Sequence, residues 1–117
     1  MRAKEILKKY CKHEFDFFVH SVDNTGKAVV YVDGHQHKND EIETFYLKIT
    51  GKIKIISVEH NEGLVLGESE SAYEIQKVDE KKEIYDVLLT FGGRIRVRLD
   101  ECDVEEINES EWNAVAL

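Results

Sequence analysis

The residues whose types and spacing suggest chemistry most directly lie between His35 and Glu41. His35 and His37 are two positions apart, so an extended backbone places both imidazoles on one face. Two imidazoles with a nearby carboxylate, here that of Glu41, form a ligand set for a divalent transition metal. The alternative is that residues 33–40 form a polar loop that contains two histidines and binds no metal. The segment thus predicts a metal site at His35, His37 and Glu41.

The spacing H-x-H-x-x-x-E of these three residues is similar to the first metal motif of the cupin family, over about seven residues. The resemblance implies a double-stranded β-helix and a metal-dependent enzyme, in which His60 supplies a fourth ligand or the fourth ligand is missing. The family tends to place a glycine after the glutamate where this chain has Lys48. Its second motif includes a proline, and this chain has no proline.

A row of arginines, Arg94, Arg96 and Arg98, alternates with apolar residues in the second half of the chain. Side chains two positions apart on a strand share a face and lie roughly 7 Å from each other. Guanidinium groups bind phosphates, carboxylates and acidic protein surfaces, so the row is predicted to bind a ligand or a partner. The alternative is cross-strand pairing with carboxylates of the same domain.

The two cysteines, Cys11 and Cys102, are far apart in the sequence. Alternation from the arginine row puts Cys102 on the same face, where neighbouring cations would favour the reactive thiolate, and the alternative is a half-buried, inert thiol. The chain lacks G-x-S-x-G, P-loop, G-x-G-x-x-G, H-E-x-x-H and C-x-x-C motifs. No catalytic residue is therefore predicted, and a non-catalytic role is favoured.

The segment that must position the arginines, residues 84–99, has the pattern of a β-hairpin around Gly92 and Gly93. A two-residue loop would set its apolar side chains against the arginines. A three-residue loop, Phe91–Gly93, avoids this conflict and requires a glycine in a left-handed conformation. The cross-strand pairs predicted by this loop are Leu89 with Ile95, Val87 with Val97, and Asp86 with Arg98.

Turn signals recur along the rest of the chain every 8–12 residues or so, as in antiparallel sandwiches and barrels. The sequence predicts an amphipathic helix over residues 3–12, a short C-terminal helix capped by Ser110 with Trp112 packing back, and a tight turn at residues 51–52. The predicted fold is mainly β (α+β), a single antiparallel β-sandwich or flattened barrel. It has about seven or eight strands, a short helix at the N-terminus and a second at the C-terminus. The predicted strands are 15–22, 27–32, 42–50, 53–59, 64–66, 72–78 and the two arms of the hairpin.

The charge of the 117-residue chain is −8, with +2 in residues 1–58 and −10 in residues 59–117. This balance argues against nucleic-acid binding, which needs a positive field, and suits a basic partner. Apolar runs are too short to span a membrane, and the first residues do not resemble a signal peptide. We therefore expect a single cytoplasmic domain, residues 1–117, with reduced thiols.

These observations predict a small, acidic, soluble domain that acts as a non-catalytic binding or interaction module, for example as an inhibitor of a basic protein. This function needs no cofactor. One alternative is the cupin-like enzyme with one divalent transition metal. Another is a subunit of a homo-oligomer, in which strand edges pair across a two-fold axis.

Overall fold

The computed structural model describes residues 14–59, 67–79, 81–99 and 102–116. These residues form one antiparallel sheet of eight strands, in the order β4-β7-β6-β5-β1-β2-β3-β8, and one helix. The prediction of a mainly β, antiparallel domain is thereby confirmed, whereas the predicted helix at 3–12 and strand at 64–66 lie outside the described residues. The strands are β1 (Phe15–Val22), β2 (Lys27–Lys38), β3 (Glu41–Lys52), β4 (Lys54–Glu59), β5 (Glu70–Asp79), β6 (Ile84–Leu89), β7 (Arg94–Arg98) and β8 (Cys102–Ile107), and the helix is α1 (Glu109–Ala116).

The core is built from the inward positions of alternating strands. In β7, for example, Ile95 and Val97 are buried while the arginines between them are half-buried on the other face. Leu47 of β3 is fully buried at the centre of the same cluster. Burial of apolar surface at about 25 cal/mol per Å² favours the register that keeps this alternation intact.

The loop of the β6–β7 hairpin has three residues, as predicted, but it is Thr90–Gly92. The N–H of Leu89 donates to the carbonyl of Gly93 at 3.0 Å, and the N–H of Gly92 donates to the carbonyl of Leu89 at 3.1 Å. Gly92 has φ +101°, the left-handed conformation that the third position of such a loop requires and that glycine adopts without strain.

The one-residue displacement of this loop makes the predicted cross-strand pairs wrong by two residues. A shift of two leaves every side chain on its original face, so Val87 and Val97 both lie on the core side, as predicted. The charged partners do change, because Asp86 is now opposite Arg96. The observed pairs are Val87 with Ile95, Tyr85 with Val97, Asp86 with Arg96, and Ile84 with Arg98.

The prediction that the polar residues 33–40 form a loop is wrong except for the last two residues. β2 continues to Lys38, and β3 begins at Glu41 directly opposite it. Asn39 and Asp40 form the turn with φ of 51° and 62°. A two-residue hairpin loop needs left-handed backbone at both positions, which Asn and Asp tolerate better than most residues. The polar residues of this segment therefore lie mostly on a strand, and only the last two form a turn.

The turn predicted at residues 51–52 is also wrong, because both residues belong to β3. After Ile53 the chain continues as β4, which pairs with β7, whereas β3 pairs with β2 and β8. β7 ends at Arg98, and Cys102, the first residue of β8, is buried in the core cluster and not on the face of the arginine row. The prediction that Cys102 shares the face of the arginines is therefore wrong, because it assumed one continuous strand, whereas β7 pairs with β4 and β8 pairs with β3.

The predicted C-terminal helix is confirmed as α1, although its cap is Asn108, whose side-chain oxygen accepts the N–H of Glu111 at 2.8 Å. Trp112 packs on the outer face of the sheet, with its ring 5.5 Å from Phe18 and 5.2 Å from Tyr46. In the part of the chain that the structure describes, no helix has the length and hydrophobicity that crossing a membrane requires.

Candidate functional site

Two groups of charged side chains lie on outward positions of the sheet, and the first is centred on Asp86. Asp86 is 5% exposed, and its carboxylate accepts hydrogen bonds from Nε of Arg96 at 2.8 Å and Nη2 of Arg96 at 3.0 Å. Arg94 adds a third bond from Nη1 at 3.2 Å, and its Nη2 reaches Glu59 on β4 at 3.1 Å. The hydrogen bonds of Arg96, and the charge of both arginines, hold the pKa of Asp86 below its usual value despite burial.

Two residues of the predicted arginine row belong to this network. Arg94 and Arg96 bind carboxylates of their own domain, which is the alternative that the sequence left open. Arg98 lies further along the same face of β7, opposite Ile84. Binding of an external anion by Arg94, Arg96 and Arg98 stays a prediction.

The predicted metal ligands lie on the β2–β3 ribbon. His35 is exposed and opposite Thr44, whose hydroxyl is 3.1 Å from its Nδ1. Glu41 is opposite Lys38 and therefore on the other face of the ribbon from His35, because directly opposed residues share a face. Within the described residues no group of three or more His, Cys, Asp or Glu side chains could hold a metal ion. The side chain of His37 lies outside the description, so the three-ligand set stays a prediction.

The second charged group lines a polar depression of about 190 Å³ where β5, β1 and β2 run side by side. At its centre Asp16 of β1 is directly opposite Asp33 of β2 on one side and Ser71 of β5 on the other. We call this the acidic depression. Its lining residues are Glu14, Phe15, Asp16, Asp33, Gly34, His35 and Ser71.

Asp33 has a pKa raised from 3.8 to about 6. Partial burial of its carboxyl is the largest cause and the negative charge of Asp16 is the second, while His35 acts weakly in the opposite direction. Within the described residues no salt bridge joins Glu14, Asp16 or Asp33 to a cation. Like charges directly opposite each other on neighbouring strands destabilise a sheet, so this pair has a cost that no salt bridge within the described residues offsets.

Gly34 has no side chain, which lets the side chains of its core neighbours lie close to the backbone of β2 at the acidic depression. A Cβ added there would lie 2.6 Å from the ring of Phe45 and 3.1 Å from Cβ of Phe15. Only glycine leaves room for the Phe45 ring at this point of the core. The flanking residues, Asp33 and His35, are thereby held on the outer side of a tightly packed strand.

Sequence analysis did not identify Asp16, Asp33 or Ser71 as site residues. They lie on three strands, and β5 is separated from β1 by three strands along the chain. One signal was available, since Asp is depleted in strands and Asp16 stands between two core phenylalanines. This signal predicts that the carboxylate of Asp16 points outward from β1, but the residues that face Asp16 depend on the order of the strands in the sheet.

Two aromatic side chains, Trp112 of α1 and Tyr46 of β3, adjoin the acidic depression. Tyr46 is directly opposite Asp33 on β3, and its ring is 5.2 Å from that of Trp112. Trp112 is the chain's only tryptophan, so its fluorescence can report on changes next to the depression. Comparison with protein-family models, with curated proteins and with solved structures gave no match for this chain.

Proposed function

We propose that this domain is a non-catalytic binding module that holds a cationic side chain of a basic partner protein in the acidic depression. The observation that carries the proposal is the facing pair Asp16 and Asp33, which lacks a cation among the described residues. An arginine or lysine inserted between the two carboxylates would remove their repulsion and gain two charge-assisted hydrogen bonds. The hydroxyl of Ser71 lies on the same row and can accept a further donor.

The charge of the whole chain supports the same partner. A net charge of −8 steers a basic protein toward this surface and raises its association rate at low ionic strength. The depression then supplies the local site to which one cationic group of that partner is directed. An inhibitor of a basic protein remains the example that this combination fits best.

The test is a titration with a short oligo-arginine peptide, followed by the fluorescence of Trp112 and by calorimetry at low and high salt. We expect binding that weakens as salt rises, and a loss of about tenfold in affinity when Asp16→Asn and Asp33→Asn are combined. The matched control is Asp103→Asn with Glu109→Gln, which removes the same charge at two exposed positions of β8 and α1.

The two variants separate local recognition from general attraction. Equal losses in both would mean that the peptide responds only to net charge, and the depression would then not be the site. An oligo-glutamate peptide of the same length serves as a second control, since it should not bind at either salt concentration.

We also propose that the sheet closes into a flattened barrel. β3 pairs with β8, while its continuation β4 pairs with β7, the strand that leads into β8. β3 and β4 follow each other along the chain, and so do β7 and β8. The β3–β8 pair stands at one end of the strand order and the β4–β7 pair at the other, so these two continuous stretches join the two ends of the sheet, which supports closure. Nuclear Overhauser contacts should join Gly51 to Cys102 and Lys54 to Arg98 in one sample, and loss of either set would favour an open sandwich.

A further inference from the structure

The inner face of the sheet lines a cavity of about 80 Å³, partly open to solvent, that the proposed function does not use. Every strand from β1 to β7 contributes to its lining, and the thirteen lining side chains that belong to the described part of the chain are all apolar. The cavity lies on the opposite side of the sheet from the acidic depression, because Phe15 and Phe17 of β1 point into it while Asp16 between them points outward.

The composition of the lining explains why the cavity does not collapse. Ten of the thirteen side chains are valine or isoleucine. Branching at Cβ leaves such side chains few χ1 rotamers, so they cannot swing inward to fill the space as a methionine could. Protein interiors seldom keep voids larger than a water molecule, and one framed by stiff side chains is suited to a guest molecule.

The cavity reaches the surface at β4. Ile55 lines it and is nevertheless 47% exposed, in contrast to its cross-strand neighbour Val97, which is 8% exposed. A small molecule can therefore enter past the side chain of Ile55 without separating two paired strands.

We propose that this cavity binds a small nonpolar molecule, a compact hydrocarbon without hydrogen-bonding groups. None of the described lining side chains can pair with a buried polar group, so a ligand with a hydroxyl or an amine would lose its hydrogen bonds to water without replacement. Apolar cavities in proteins stay dry and take up xenon or benzene, the latter in an engineered cavity of about 150 Å³. The smaller volume here favours ligands no larger than benzene.

The experiment uses the full chain with ¹³C-labelled valine and isoleucine methyl groups and two probes, xenon and benzene. Saturable shifts are expected at the methyl groups of Val87 and Val97, and none at Val22, which is 55% exposed and outside the cavity. Shifts with either probe support the proposal, whereas no shift with both, or equal shifts at Val22, overturns it.

Filling the cavity supplies the second arm of the experiment. Val87→Ile with Val97→Ile adds two methyl groups to the space and should abolish the shifts at the remaining lining residues. Val22→Ile makes the same chemical change at an exposed position and should leave them intact. Val87→Ile alone, at a half-buried position, provides a milder variant in which the shifts should decrease. Undiminished shifts in the filled variants would show that the probes bind elsewhere.

Discussion

Asp86 and Asp33 are both strand residues that oppose a charged residue, and the fold treats them in opposite ways. Asp86 receives three hydrogen bonds from two arginines, and its pKa is lowered. Asp33 faces a second aspartate, and its pKa is raised to about 6. Asp86 forms ion pairs with arginines of its own domain, whereas Asp33 forms no salt bridge within the described residues. The comparison indicates where an external cation would gain most.

The same contrast changes how the charged rows of the sequence are interpreted. The arginine row was predicted to bind a ligand because three cations alternate along one strand. In the structure, Arg94 and Arg96 bind the domain's own carboxylates. The acidic depression combines Asp16 of β1 with Asp33 of β2, and the sequence of either strand alone does not predict that the two carboxylates meet. For recognition, the balance of charge in space matters more than the density of charge along the chain.

The largest effect is expected from Asp86→Asn, which removes the negative charge between the two arginines. Loss of one partner from a fully buried ion pair typically costs roughly 3–5 kcal/mol, and because the arginine side chains here are partly exposed we expect the free energy of unfolding to fall by about 2–3 kcal/mol at neutral pH. Urea denaturation measures this value, and Asp103→Asn at an exposed position is the control. A loss no larger than that of the control would contradict the structural role of Asp86.

The pH dependence of this contribution has a defined sign. The folded-state pKa of Asp86 lies below 3.8, so the stabilisation is fully present above pH 3.8 and is lost as pH falls through the lower, folded-state value. The difference between wild type and Asp86→Asn should therefore shrink on the acid side of pH 3.8. A difference that stays constant down to the lowest pH at which the fold survives would argue against the ion pair as its source.

A smaller effect is expected from Arg96→Lys, which keeps the charge and removes the two-pronged contact through Nε and Nη2. A lysine supplies one ammonium group in place of the planar fork, so we expect a loss of roughly 1–2 kcal/mol. Arg94→Lys is the matched control, because Arg94 makes a single bond to each of two carboxylates. Its loss should be smaller in the same denaturation experiment, and the reverse order would contradict the geometry described for Asp86.

On the other side of the comparison, Asp33→Asn should stabilise the domain at pH 8. The raised pKa means that the folded state holds a proton more firmly than the unfolded state, so wild-type stability falls as pH rises from 3.8 through about 6. Because the carboxyl is partly exposed, the expected gain is only about 1 kcal/mol. The gain should disappear below pH 3.8, and a destabilising effect at pH 8 would contradict the raised pKa of Asp33.

The smallest effect is a change in titration alone. The side-chain carbon resonance of Asp33 should titrate with a midpoint near pH 6 in wild type. Asp16→Asn removes the facing charge and should lower this midpoint, leaving the part that is caused by burial. Asp86→Asn, several strands away in the sheet, should not move it. An unchanged midpoint in Asp16→Asn would assign the whole shift to burial.

The sequence by itself determined the local structure and the faces of most strands. Alternation predicted β1 at its observed bounds, placed Val87 and Val97 on the core side, and indicated the three-residue glycine loop and the C-terminal helix. These features depend on neighbouring residues along the chain, which is why a period of two or a glycine doublet suffices to predict them.

Only the tertiary structure decided which charged residues meet. A two-residue shift of the β6–β7 register leaves the alternation unchanged, so the pattern could not distinguish Arg96 from Arg98 as the partner of Asp86. The neighbours of β1 on both sides depend on the packing of the whole sheet, and that packing alone brings Asp16, Asp33 and Ser71 into one row. Strand order is set by burial of the common core, whose energy is non-directional and leaves no local mark in the sequence.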